Sequence, residues 1–277
     1  MKNEISRRDL LKATAAIGAG GLLFAPGCGN ESLFAIPAYI MNGLGEASYA
    51  SAMQEYGDDK ISTHPTWDPW VKNSKKRIQN ATEEYERERK TSKRLEGFTW
   101  EVKLLKDDAV NAWCMPGARM AFYEGIMPLC ANEDGVGIVM GHEVAHAVYN
   151  HGGQRMAQQL TAQLGITALG IAMERLLEPD ETILEITMAV FGVGAQVGLL
   201  HYSKEHEYEA DRMGLMYAAK AGYNPQEAVR FWKDMSKLGS SGTPEFLSTH
   251  PSNENRIKEL EEAMPEAMQH YEASQNR

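Results

Sequence analysis

The sequence predicts an α+β fold that is mostly helical, and three observations carry that prediction. Apolar residues recur at helical spacing along most of the 277 residues. The one clear alternation of apolar and polar side chains falls between Phe98 and Tyr123, where three short strands fit. Gly, Pro and Asn–Asp punctuation separates these segments, and strands grouped in a helical chain indicate an α+β arrangement. With 43% hydrophobic and 24% charged residues, the chain can build a core and is not generally disordered. No apolar run reaches about eighteen residues, which excludes a polytopic membrane protein. A formal charge of -10 argues against nucleic-acid partners, and three cysteines are too few for a disulfide scaffold.

Taken in order, residues 1–27 read as an export signal and stand outside the fold. Ser6-Arg7-Arg8-Asp9-Leu10-Leu11-Lys12, followed by the weakly apolar run from Ala13 to Phe24, resembles a twin-arginine signal. Leu23-Phe24-Ala25-Pro26-Gly27-Cys28 is similar to a lipoprotein cleavage box, so Cys28 is a candidate lipidation site; simple cleavage and a retained cysteine are the alternatives. Without residues 1–27 the net charge becomes -12, so membrane association would rest on acyl chains rather than on basic residues.

Residues 28–65 read as a tether and a short helix over 45–56, stopped by Gly57-Asp58-Asp59. Residues 66–277 form one domain. A charged helix over 68–96 places Trp70, Val71, Ile78, Ala81 and Tyr85 on one face and ends at Gly97. Phe98, Trp100, Val102 and Leu104 then alternate as a strand, and two more strands, 110–113 and 120–123, flank Pro116-Gly117. Helices are expected over 133–151, 155–177, 182–200 and 204–221, after Asn224-Pro225, and over 253–271. The apolar stretch 183–200 carries Glu185, Gln196 and three glycines, so it suits a buried or interfacial helix better than a spanning one.

The chemistry concentrates in His142-Glu143-Val144-Ala145-His146, an H-E-x-x-H pentad inside a helix. Positions i and i+4 lie on one helix face, so both imidazoles can meet one metal ion, with Glu143 beside it to deprotonate a bound water. A zinc of this kind needs a third protein ligand. Glu207 and Asp211 are again i and i+4: one can bind the metal while the other accepts the free ring N–H of a liganding histidine. Glu209 reads as a solvated charge, and Glu205 and His206 as surface residues, either of which replaces Glu207 if the helix phase is shifted.

These motifs resemble metallopeptidase family forty-eight, which holds CAAX prenyl endopeptidases, HtpX-type heat-shock proteases and BepA-type periplasmic proteases; the soluble BepA-like members fit best. Asn111-Ala112-Trp113-Cys114-Met115-Pro116-Gly117 is similar to the family's N-A-x-x-x-P-G strand, with Ala118 where a second glycine is usual. Ser203 to Asp211 is similar to its S-R-x-x-E-x-x-A-D helix, with Lys204 in place of Arg. The resemblance implies a zincin (gluzincin) fold, with a small, mostly antiparallel sheet over the H-E-x-x-H helix. It implies one Zn2+ per chain held by His142, His146 and Glu207, with Asp211 behind a ligand. It also implies an edge strand at Asn111 and Ala112 for an extended peptide substrate.

His250, in an H-P-x-x-x-x-R context similar to the family's late motif, is expected either to cap the zinc at rest or to donate to the oxyanion; the alternative is a residue at a helix start, with Arg256 in a structural ion pair. Cys114 and Cys130 are candidates for a disulfide, or for two buried thiols. His151 is expected to close the metal helix. The function that follows is a zinc metalloendopeptidase acting on unfolded or misassembled proteins of the cell envelope, periplasmic and lipid-anchored. A chaperone-like or assembly factor that binds such proteins and cuts little is the alternative, and the intact Glu143 favours the enzyme.

Overall fold

A computed structural model describes residues 35–158, 202–238, 244–251 and 254–276. The expected signal, Cys28, the helix at 182–200 and most of that at 155–177 lie outside the described residues. Helix α1 (Ala38–Tyr56) is followed by α2 (Trp67–Glu88) and by strands β1 (Glu101–Leu105), β2 (Ala112–Met115) and β3 (Arg119–Tyr123). A one-turn helix α3 (Met127–Cys130) leads into α4 (Glu133–Val148), the helix of the pentad. Residues 151–158 are helical, and then come α5 (Lys204–Lys220), α6 (Gln226–Leu238), the short α7 (Glu245–Thr249) and α8 (Glu254–Gln275).

The sheet order is β1-β3-β2. β2 and β3 form an antiparallel hairpin with Cys114 opposite Met120, whereas β1 runs parallel to β3 with Val102 beside Met120. The expected mostly antiparallel sheet is therefore mixed, with β3 central beside β1 and β2 at an edge. Side chains divide between the faces by the period of two. Leu104, Ala112, Cys114, Met120 and Phe122 join the main core with α4, while Leu105, Trp113, Met115, Ala121 and Tyr123 form a second apolar cluster. That second face is covered by α1, whose Tyr49 ring meets Trp113 edge-on at 5.9 Å.

Coverage by α1 explains one departure from expectation. The helix starts at Ala38, well inside the expected tether, because Met41 and Leu44 bury against the fold while Asn42, Gly43 and Gly45 hide the helical signal in the sequence. Gly45 is required there: a Cβ would stand 2.2 Å from the Pro116 carbonyl oxygen. The hairpin loop explains another. Ala118, standing where a glycine is usual in the resembling strand, has φ 60°, the left-handed conformation that glycine adopts without cost.

α4 is buried nearly all round, as befits a helix through the middle of a core. Asn132 caps it, its side chain accepting from the Gly135 N–H at 2.8 Å, and Glu133 and Asp134 favour the first turn electrostatically. It ends at Val148 rather than near 151, since Asn150 takes φ 54° and turns the chain before the next helix begins. α4 and α5 pack against each other where two glycines meet: a Cβ on Gly141 would lie 2.5 Å from the Gly214 oxygen, and one on Gly214 2.6 Å from the His142 nitrogen. Cys114 and Cys130 are both buried free thiols, the second of the two alternatives the sequence left open. One belongs to the edge strand β2 and the other to α3, where the Cys130 carbonyl accepts from Arg230.

Candidate metal centre

The glycine contact sets the pentad of α4 against the start of α5. His142 and His146 share one face of α4, Glu207 and Asp211 one face of α5, and His250 arrives from the C-terminal end of α7. Ser203 caps α5, its hydroxyl accepting from the His206 N–H at 3.3 Å. One atom each from His142, His146, Glu207 and His250 lies within 4.8 Å of the others, and all four residues are buried. His142 Nε2 is 3.1 Å from His146 Nε2 and 3.2 Å from His250 Nδ1. Glu207 Oε1 is 3.1 Å from His250 Nδ1 and 3.4 Å from His146 Nε2.

These four separations suit the metal that the sequence implies. A tetrahedron of nitrogen and oxygen ligands about zinc has edges of about 3.3 Å, given bonds near 2.05 Å. The charge fits as well. Glu143, Glu207 and Asp211 are at most 4% exposed, and among the described residues Arg256 is the buried guanidinium that faces them. A formal excess of two buried negative charges is costly, and a divalent cation would cancel it.

Arg256 is fully buried above the Trp232 ring, 3.6 Å from its centroid. Its Nη2 and Nε donate to the two Asp211 oxygens at 2.6 and 2.7 Å, and its Nη1 lies 2.5 Å from Glu207 Oε2. Burial alone would raise both carboxyls; the guanidinium beside them holds Asp211 below the usual carboxylate range and Glu207 well below it. Asp211 Oδ1 is in turn 3.0 Å from His142 Nδ1. Glu143 differs. Burial lifts its carboxyl above the usual range against the pull of His250 and His142, and the Cys114 backbone N–H donates to it. Its Oε1 has no hydrogen-bond partner, and His250 Nε2 stands 3.4 Å from it.

The residues read from the sequence thus meet as a set, His250 included, and the ion pair expected of Arg256 is made with Asp211 and Glu207. Asn111 and Ala112 lie at the start of the edge strand, where Asn111 Nδ2 donates to Glu245 Oε1 at 2.9 Å. Three residues depart from expectation. His151 is fully buried rather than closing a helix, with its Nδ1 2.9 Å from His146 Nδ1. Glu209 is not simply solvated, since its Oε2 lies 3.0 Å from His151 Nε2. His206 is buried and stacks on His151 at 4.5 Å, while Glu205 is exposed as expected. The contact of His151 with His146 was not legible because His151 lies five residues past His146, off any regular face. The helix-weak run Tyr149-Asn150-His151-Gly152-Gly153 was the available sign of a break that folds it back. Tyr202, stacked on His146 at 3.9 Å, carried no motif at all.

Comparison with known proteins bears on what this geometry serves. Residues 72–264 match the model of peptidase family M48, and residues 4–24 match that of the twin-arginine translocation pathway signal sequence. The chain is 31% identical over 234 residues to the mitochondrial metalloendopeptidase OMA1 of Schizosaccharomyces pombe, covering 83% of this chain and 63% of that protein. It is 32% identical to the mitochondrial metalloendopeptidase OMA1 of Arabidopsis thaliana, over 74% of this chain and 39% of the relative. It is 28% identical to the beta-barrel assembly-enhancing protease of Escherichia coli, over 56% of this chain and 32% of the relative. The chain therefore spans less than two thirds of each of these three relatives.

Proposed function

The chain belongs to peptidase family M48, and on that premise we propose that it is a zinc-dependent metalloendopeptidase with Glu143 as general base. One observation carries the reading: His142, His146 and Glu207 converge on one point, with the unpartnered Glu143 Oε1 beside it. Zinc held by those three side chains would supply Lewis acidity, polarising a scissile carbonyl and acidifying water.

The remaining steps belong to the protein. Glu143 takes a proton from the attacking water and passes it to the leaving amine. Its carboxyl, lifted by burial, holds that proton more readily than a solvated glutamate would, which suits both halves of the transfer. Asp211 orients His142 through Nδ1 and leaves Nε2 for the metal. An extended peptide pairs with the outer edge of β2 from Asn111 and Ala112 onward, its affinity coming from main-chain hydrogen bonds. His250, with Nδ1 3.2 Å from His142 Nε2 and Nε2 toward Glu143, would be a fourth donor to the ion at rest and would give way to substrate.

The twin-arginine signal directs export, and the setting proposed is the periplasm, with residues 1–27 removed, Cys28 lipidated and residues 28–65 leading into the metallopeptidase domain of 66–277. Unfolded or misassembled envelope proteins are the proposed substrates, in keeping with the printed name of the Escherichia coli relative.

Purified protein is expected to hold about one zinc per chain and to cleave an unfolded protein substrate. Glu143→Gln should keep the metal and lose cleavage by at least about a hundredfold. Cleavage at the wild-type rate in Glu143→Gln would refute the assigned base, and a zinc-free active protein would refute the metal. His250→Ala should change turnover while zinc content stays the same.

A further inference from the structure

Two ring nitrogens that face each other cannot both donate a hydrogen bond. His146 Nδ1 and His151 Nδ1 stand 2.9 Å apart, so one carries the proton and the other accepts it. The choice is made at the far side of the His151 ring. There Nε2 lies 3.0 Å from Glu209 Oε2, and a carboxylate only accepts. His151 Nε2 must then be a protonated nitrogen, and in the neutral ring that leaves His151 Nδ1 with a lone pair. His146 Nδ1 donates to that lone pair, and the His146 lone pair is left on Nε2, the atom 3.1 Å from His142 Nε2 in the four-atom cluster.

We propose that Glu209 and His151 are positioning residues, a relay that fixes the His146 tautomer and ring orientation for the metal. The proposal rests on the metallopeptidase reading only in naming the ion. The ring chain His146–His151–Glu209 stands on its own distances. The surroundings hold it in place: His151 is fully buried, and the His206 ring stacks on it with planes 19° apart. His206 Nε2 pairs with Gln154 Oε1 at 3.2 Å and so is turned away from the relay. Glu209, two residues beyond Glu207, points to the opposite flank of α5, which is where the chain returning after Asn150 puts His151.

The arrangement makes α5 the source of both orienting carboxylates. Asp211 sets His142 directly, and Glu209 sets His146 through one intervening imidazole.

Two measurements on the mature protein test the relay. Long-range proton–nitrogen correlation spectra of metal-free protein labelled with 15N-histidine report which ring nitrogen is protonated. The expected result is His151 protonated on Nε2 and His146 on Nδ1. A His151 proton on Nδ1 overturns the proposal whether or not the protein binds zinc. In competition titrations with a chromophoric chelator, Glu209→Ala should weaken zinc binding tenfold or more, whereas Glu209→Gln, whose amide oxygen still accepts, should stay within about threefold of wild type. Equal affinity in wild type and Glu209→Ala, or an equal loss in both variants, would also overturn it. Wild-type protein that binds no zinc but shows the expected tautomers would refute the metallopeptidase reading and leave the relay standing.

Discussion

Burial and charge oppose each other at Asp211, and charge wins. Desolvation would raise its carboxyl, but the two hydrogen bonds from Arg256 hold it below its ordinary value of 3.8. A depressed folded value gives stability that is complete above the unfolded carboxylate range and is lost as pH falls through the lower folded value. Denaturant unfolding followed from neutral to acid pH should show that loss, and Asp211→Asn should lack this part of the slope. Removing the guanidinium is harsher: Arg256→Ala strands Glu207 and Asp211 as buried charges and should cost about 3–5 kcal/mol, measured by the same unfolding. The sequence made His142, Glu143 and His146 legible because a helical period of 3.6 converts their spacing into a shared face. Glu207 and Asp211 were legible for the same reason. His151 and Glu209 were not, because their contact depends on a single left-handed residue, Asn150, whose effect on direction no periodicity records.

The decisive element contact is the crossing of α4 and α5 at Gly141 and Gly214. Gly214→Ala would press a methyl against the His142 backbone, and the helices would have to part. Such overpacking should cost about 1–3 kcal/mol in chemical denaturation, and a zinc titration should show weaker binding, since His142 adjoins the contact and Glu207 lies about two turns along α5 from it. An unchanged zinc affinity would mean that the helices can yield there without disturbing the site. The long helices were readable from apolar spacing, and the structure adds the caps at Asn132 and Ser203. The start of α1 was not: Asn42, Gly43 and Gly45 look like a linker, and only the Pro116 backbone lying against Gly45 shows why a small residue stands there. Strand positions were readable too, but the parallel pairing of β1 with β3 was not, since pairing partners are set by the path of the connection rather than by alternation.

At the scale of the molecule, an export signal lies at residues 4–24, and among the described residues the large apolar side chains apart from Tyr39 are buried or half-buried and no helix is long and apolar enough to cross a membrane. On the proposed lipidation of Cys28, Cys28→Ser should move the exported protein from the membrane fraction to the soluble fraction, checked by fractionation and intact mass. Persistence in the membrane fraction would place the anchor elsewhere. The helix crossing also bears on how the centre comes into being. α5 alone brings Glu207, Glu209 and Asp211, and all three reach their imidazoles by one docking against α4 and residues 151–158. Ion affinity and the placement of protons on both rings should therefore arrive in a single event during folding. A single-residue insertion between Asp211 and Gly214 would swing all three carboxylates by about 100° relative to that crossing and disconnect them together.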